Sequence, residues 1–230
     1  MSTIFKSLIS KIRAERNKNM NKINIINNAK KELDIVVNQG NDNIEIVVNL
    51  ANKDFKLSRN LKLGDVFKDM DGEEYVLMYY LTNGDAVVWR KEPLTKMKFG
   101  SNNNYNGSDI DNYLCNTYLP ELERKFGKHN IVEHEIDLLS MDGEDDYGRI
   151  TRKVSIPTID EFRHNKKIIK KHIKEWFWLC TPDSTPSCYG SDNVQFVFSF
   201  GCVSYGWCNY CRAVRPRFIL NSSIFKSSEN

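Results

Sequence analysis

The feature that most constrains this chain is the run from Trp176 to Leu220, WFWLCTPDSTPSCYGSDNVQFVFSFGCVSYGWCNYCRAVRPRFIL. From Trp176 to Cys211 its only formal charges are Asp183 and Asp192, although 27% of the whole chain is charged. Five of the six cysteines fall here (Cys180, Cys188, Cys202, Cys208 and Cys211), interleaved with Tyr, Phe, Ser, Asn and Gly. An ordinary core uses Leu, Ile, Val and Met with a regular period, and this run lacks one. Aromatics mixed with Ser, Gly and Asn supply rigid contact area together with adaptable hydrogen bonds, the composition of binding loops. On composition two readings stand: a contact surface, or the aromatic- and cysteine-rich end of a β-core.

The chain has 230 residues, room for one sizeable domain and an appendage. No apolar run approaches the ~20 residues of a membrane-spanning helix. The start, MSTIFKSLISKIRAER, breaks its apolar stripe with charges and lacks a signal-peptide core, so the expected location is cytoplasmic or virion-associated. A net charge of +3 does not argue for nucleic acid. The basic clusters Lys6 to Lys31 and Lys166 to Lys174 are spaced as solvated helix faces, without interleaved aromatics.

Residues 3 to about 33 read as basic amphipathic helix, with Ile4, Phe5, Leu8, Ile9 and Ile12 on one face, and serve as a subunit or domain contact. Leu33 to Val37 and Ile44 to Leu50, separated by NQGNDN, form a predicted hairpin. The pattern then changes, giving an N-terminal region over 1–58, for oligomerisation or attachment, and a main domain over 59–230. Within the latter, strands are predicted at Asp65 to Phe67, Glu74 to Leu81 and Ala86 to Arg90, with turns at Asp71-Gly72 and Asn83-Gly84-Asp85. Ser108 caps a helix with Ile110, Tyr113, Leu114, Thr117 and Tyr118 on one face, which Pro120 splits. Val154 to Pro157 is a short strand, and Thr158 with Glu161 forms a capping box for the next helix. Further strands are expected at Asn193 to Phe200 and within Ala213 to Leu220. Short strands with two central helices make the class α+β.

No arrangement of side chains declares catalysis. His129, His134, His164 and His172 lie in charged, helix-like text, which reads them as solvated helix-face residues. Cys208-Asn-Tyr-Cys211 has zinc-knuckle spacing, but a closed site needs four ligands and only Cys188 and Cys202 remain to complete it. The acidic loop Met141 to Ile150 lacks the ligand spacing of a calcium loop. No cofactor is expected.

Several landmarks together resemble a known family. They are Gly64-Asp65-Val66, Tyr105-Asn106-Gly107-Ser108-Asp109-Ile110, Tyr113-Leu114-Cys115-Asn116, Ile156-Pro157-Thr158, Trp176-Phe177-Trp178-Leu179-Cys180-Thr181-Pro182 and Ala213-Val214-Arg215-Pro216-Arg217-Phe218. Their order over about residues 61–220 is similar to bacterial and phage domains of C-type-lectin-like, formylglycine-generating-enzyme-like fold. The nearest pattern is that of variable proteins of diversity-generating retroelements.

The resemblance implies a non-enzymatic ligand-binding protein, with a protein or surface receptor as partner. Its hypervariable surface lies just before the closing Val-Arg-Pro strand. In that family, rewriting of adenines in Asn codons yields Tyr, Ser, Cys, Phe, Asp or Gly but not Lys, Glu, Gln, Met or Trp. Cys188 to Cys211 contains no Lys, Glu or Met, and its exceptions, Gln195 and Trp207, are thereby assigned to the constant frame. The expected surface is Cys188, Tyr189, Ser191, Asp192, Phe196, Phe198, Phe200, Cys202, Ser204, Tyr205, Cys208, Asn209, Tyr210 and Cys211. Trp176, Trp178, Val197, Val203, Val214 and Phe218 are the expected anchors, with Arg215 held by internal hydrogen bonds. The alternative is a thiol- or metal-dependent enzyme of the same fold, although no cysteine here matches that fold's working pair.

Overall fold

The computed structural model describes residues 61–224, Leu57 and the backbone of two strands between 33 and 50. The chain divides into two compact units, Met1–Lys53 and Asp54–Asn230. In the first, β1 (Leu33–Gln39) and β2 (Ile44–Leu50) pair antiparallel, with Leu33 opposite Leu50 and Gln39 opposite Ile44, as the hairpin pattern predicts. The predicted N-terminal helix lies outside the described residues.

The second unit is α+β, built mostly from strands. One sheet contains β3 (Val66–Lys68), β4 (Glu74–Tyr80), β5 (Ala86–Arg90), β10 (Val154–Ser155) and β15 (Arg217–Leu220), in the order β10-β15-β5-β4-β3. A short strand, β7 (Ile131–Val132), also pairs with β15. The other sheet contains β6 (Thr95–Lys98), β11 (Phe177–Pro182), β12 (Asn193–Val197), β13 (Val203–Trp207) and β14 (Cys211–Val214), in the order β13-β12-β11-β14-β6. Within it β11 and β14 run parallel and the remaining pairs antiparallel. A hairpin of β8 (His134–Asp137) and β9 (Arg149–Arg152) stands apart. Leu57 N–H donates to the Ile224 carbonyl at 2.9 Å, closing the unit where its ends meet.

The central strands of both sheets are covered on both faces, so alternate residues of one strand serve different cores. Tyr75 and Leu77 of β4 join one cluster while Val76 and Met78 join the other; Trp178 and Cys180 of β11 oppose Phe177 and Leu179 in the same way. Strands buried on both faces read as continuous apolar runs, which is why YVLM and FWLC carry no alternation. The first cluster packs under α1 (Asp109–Tyr113) and α2 (Leu119–Phe126), the second under α3 (Ile159–Ile169).

The α1 to α2 segment turns on a spacing. Ile110, Leu114, Tyr118, Leu122 and Phe126 are all buried, each four residues after the last, whereas an α-helix repeats every ~3.6. A π-helical turn at Leu114–Tyr118, where the Leu119 N–H reaches back to the Leu114 carbonyl, takes up the difference. Pro120, with no N–H to give, enters α2 at its start. The predicted split at Pro120 therefore takes the form of a π turn inside one continuous helical segment, and Thr117 faces solvent.

Helix α3 is fixed at its N-terminus. Thr158 Oγ1 accepts from Glu161 N–H at 3.1 Å, Glu161 accepts from Thr158 N–H at 3.0 Å, and Thr181 Oγ1 of β11 accepts from Ile159 N–H at 2.9 Å. Glu161 also accepts from Arg217 Nε of β15 at 2.8 Å. One helix end thus ties the two sheets together.

His134 corrects the reading of the histidines: it lies on β8, buried, with Nε2 3.2 Å from Ser155 Oγ. Burial, with the Arg217 charge adding to it, pushes its pKa down to about 3. The imidazole is neutral in the folded protein, so stability is complete above the ordinary value near 6.5 and drains as pH falls from there toward 3. We predict that between pH 6.5 and pH 4 the wild type loses about 1.4 kcal/mol per pH unit more than His134→Gln in urea unfolding. Parallel pH profiles would contradict this.

Candidate functional site

The surface at the end of the second sheet is built from two segments, the hairpin β12–β13 and the loop of residues 183–192 that precedes it. In the hairpin, Asn193 pairs with Trp207 and Val197 with Val203. Its turn is closed by Phe198 N–H to the Cys202 carbonyl and Gly201 N–H to the Phe198 carbonyl, both 2.8 Å, with Gly201 at φ +83°. That left-handed backbone favours glycine. β13 is the sheet's edge strand, so side chains beyond it meet solvent.

The loop of residues 183–192 carries little apolar weight and is held by polar staples. Fully buried Asn103 donates through Nδ2 to the carbonyls of Ser184 (2.7 Å) and Asn193 (2.9 Å), and its own N–H donates to the Ser191 carbonyl at 2.7 Å. Tyr147 Oη donates to Asn103 Oδ1 at 2.6 Å, completing the amide's bonding. The acidic turn supplies a second clamp: Ser184 Oγ donates to Asp142 at 2.5 Å and Ser187 Oγ to Asp146 at 2.7 Å. Hydrogen bonds from Ser140 and Ser184 hold the Asp142 pKa down to about 2, and those from Ser187 lower that of Asp146. Sequence reasoning missed these roles of Asn103, Asp142 and Asp146, because each bond joins segments distant in the chain.

Of the expected surface residues, Cys188, Tyr189, Asp192, Phe200, Cys202, Tyr205, Asn209, Tyr210 and Cys211 are exposed, and Ser191, Phe198 and Ser204 are half-buried. Two assignments need correction. Phe196 (3% exposed) and Cys208 (4% exposed) are core. Cys208 is a backbone hub, donating to the Asp192 carbonyl at 2.8 Å and accepting from Phe99 N–H at 2.9 Å. Two expected frame residues go the other way. Trp176 (45% exposed) and Trp207 (53% exposed) face solvent, while Val203 is half-buried; Trp178, Val197, Val214 and Phe218 are buried anchors. Gln195 is buried and donates to Asp183 at 2.6 Å. Arg215 is fully buried, donating to the carbonyls of Arg90 (2.9 Å) and His172 (3.0 Å) and to that of Lys91.

The strand period of two divides the exposed residues between two sides. Phe196, Phe198 and Trp176 lie on the face of the first cluster, and a ladder of rings leads outward from it. Trp176 stacks on Phe196 at 5.5 Å, meets Phe198 edge-on at 4.7 Å, and Phe198 stacks on Phe200 at 4.9 Å. Tyr205 and Trp207 alternate onto the opposite side of β13. The expected residues therefore form more than one patch.

At the foot of the ladder lies Arg212 of β14, 8% exposed. Its guanidinium carbon is 3.8 Å from the Phe196 ring centre, 4.7 Å from Trp178, 5.4 Å from Trp176 and 5.7 Å from Tyr210. The side chain reaches across the sheet to β13, where a Cβ on Gly206 would fall 2.5 Å from Nη2. Gly206 has no left-handed backbone to explain it; the guanidinium needs the space. Among the described residues no carboxylate pairs with Arg212, and its buried Nε has no hydrogen-bond partner. Desolvation lowers its pKa, and contacts with ring faces, worth up to ~2 kcal/mol each when dry, offset part of that cost.

The thiols differ in their surroundings: Cys180 and Cys208 are buried, Cys115 is half-buried, and Cys188, Cys202 and Cys211 are exposed. All six cysteines are free. Burial pushes the Cys115 thiol up to about 11 and raises those of Cys180 and Cys208, and hydrogen bonding to Asp142 raises that of Cys188. A nucleophilic thiol needs the opposite shift. Among the described residues, no three His, Cys, Asp or Glu side chains form a metal-holding group, and none of the helices is long and apolar enough to cross a membrane. No protein-family model, curated protein or solved structure matches this chain.

Gly206→Ala should cost about 1–3 kcal/mol by forcing the guanidinium off its rings, and in an Arg212→Met background most of that cost should vanish. Urea unfolding of the four-member cycle measures this; additive effects would separate Gly206 from Arg212.

Proposed function

We propose that this protein is a non-enzymatic binding protein of C-type-lectin-like fold, a variable protein of a diversity-generating retroelement, whose exposed C-terminal side chains contact a protein or surface receptor. The observation that carries the reading is the sorting of one short segment. Between residues 188 and 211, Tyr189, Phe200, Tyr205, Asn209, Tyr210 and Cys211 are exposed, while Val194, Gln195, Phe196, Val197 and Cys208 between them are buried. Large aromatics held on a rigid frame are the side chains that dominate binding energy.

Further support comes from where the family-like landmarks fall. Gly64-Asp65 opens the first strand of the large unit, Ser108 caps α1 with its Oγ accepting from Asp111 N–H at 3.1 Å, Thr158 caps α3, and Arg215 is locked behind the closing strand. Free cysteines at exposed positions 188, 202 and 211 fit diversified codons, which owe nothing to bonding chemistry. Trp207 is exposed and lies outside the set that codon rule permits. In this reading it is a fixed member of the contact surface.

The test is a library in the full chain that randomises Tyr189, Phe200, Tyr205, Asn209, Tyr210 and Cys211 and keeps the buried residues. The expected result is that most members unfold cooperatively within a few degrees of the parent and that selection yields binders to unrelated protein targets. Loss of cooperative unfolding in most members would overturn the reading.

A further inference from the structure

A cleft of about 350 Å³ opens beside the aromatic ladder, lined by Lys96, Lys174, Trp176, Ser199, Cys211 and Arg212, with Glu175 and Ala213 completing it. Its charges are unequal in their commitments. Lys96 is paired with Glu175, and Lys174 lies 2.6 Å from Glu92. Arg212 has no such partner among the described residues: its guanidinium is held by ring faces alone, and Nε is left without a hydrogen bond. Ring faces neutralise none of its positive charge and accept at best weakly from its N–H groups. A buried guanidinium is the side chain best matched to a planar, two-oxygen anion. Trp176, 45% exposed, forms a wall of the same cleft and offers a flat apolar surface beside that charge.

We propose that this cleft binds a carboxylate of the ligand on Arg212, with an attached ring or apolar group lying against Trp176. The inference rests on the binding reading above and names the ligand chemistry of that surface: an acidic group carried next to a flat apolar one. Against Lys96, Lys174 and Arg212 the cleft carries one carboxylate, Glu175, which Lys96 pairs, so the charge left over in its lining is positive. The arrangement also accounts for the local composition. Gly206 makes room for the guanidinium, and Phe196 and Trp178 orient it, so the charge is preorganised before a ligand arrives.

The full chain is titrated with benzoate, acetate, inorganic phosphate and benzyl alcohol at fixed ionic strength, reading tryptophan fluorescence and, independently, calorimetric heat. The expected result is saturable benzoate binding roughly tenfold or more tighter than that of benzyl alcohol, the contrast that one charge-assisted hydrogen-bonded pair supplies. Acetate, without the ring, and phosphate, without a ring and with a different shape, bind more weakly than benzoate. Arg212→Met abolishes the advantage of benzoate over benzyl alcohol. Should that variant fail to fold, Trp176→Ala at its exposed position decides instead: benzoate falls to the level of acetate while acetate is unchanged.

The proposal is overturned by absence of saturable benzoate binding, by equal affinity for benzoate and benzyl alcohol, by phosphate binding as tightly as benzoate, or by benzoate binding unchanged in Arg212→Met or Trp176→Ala. None of these results touches the replaceable-surface reading: Arg212 and Trp176 are kept in that library, and although Cys211 of the cleft and Tyr210 beside Arg212 are randomised there, its readouts, cooperative unfolding and selection on protein targets, do not use the titrated anions. A failed library, conversely, leaves the wild-type titration fully readable.

Discussion

The fold depends on β11 being buried on both faces along its whole length. Phe177 and Leu179 pack under α3, Trp178 and Cys180 under the helices on the other side, and Thr181 accepts from the first N–H of α3. A strand in that position couples everything it touches. Its parallel neighbour β14 carries Arg212, its antiparallel neighbour β12 carries Phe196, and the residue just before it, Trp176, is where the sheet meets solvent. The surface is therefore the continuation of a core strand and inherits that strand's rigidity.

Beyond the strands, order is maintained by polar bonding. The loop of residues 183–192 has few buried apolar side chains, and conformational entropy would scatter it if left alone. Asn103 and the two aspartates of the acidic turn satisfy its backbone and hydroxyls from outside. Within the acidic turn, Asp142 and Asp146 accept from serine hydroxyls. Arg212 is a contrasting case: its guanidinium is buried among rings with no carboxylate beside it among the described residues, a desolvation cost that its ring contacts offset only in part.

Features written in local chemistry were legible in the sequence. Ser108 and the Thr158–Glu161 box announce helix starts because each motif closes within one turn. The hairpin of β1 and β2, the class α+β and the burial of Arg215 were readable for similar reasons of pattern and donor inventory. What failed was the choice between core and surface. Phe196 and Phe198 share a face, but Phe196 pairs with Trp178 inside the sheet while Phe198 lies beyond the strand's last residue, Val197; of Cys208 and Cys211, Cys208 is the one whose backbone is bonded to Asp192 and Phe99. The codon rule assigns Trp207 to the frame but says nothing of position, and Trp207 is exposed on the edge strand β13; Trp176, an expected anchor, stands just before the central strand β11 and is half-covered. His134, set in charged text, is on a strand because Ser155 and β9 complete its surroundings. Strands β6, β8 and β9, rich in charged residues, owe their existence to partners more than to propensity.

The separation of the buried frame from the exposed side chains proposed as its contact surface is tested most directly by hydrogen exchange on the full chain. The wild type is compared with a variant carrying Ser at Tyr189, Phe200, Tyr205 and Tyr210. The account predicts that the amides of residues 177–181 and of Asn193–Val197 exchange only through global unfolding in both proteins, with unchanged protection. Faster exchange of these two strands in the variant would contradict it, because the exposed rings would then be part of what holds the sheet together.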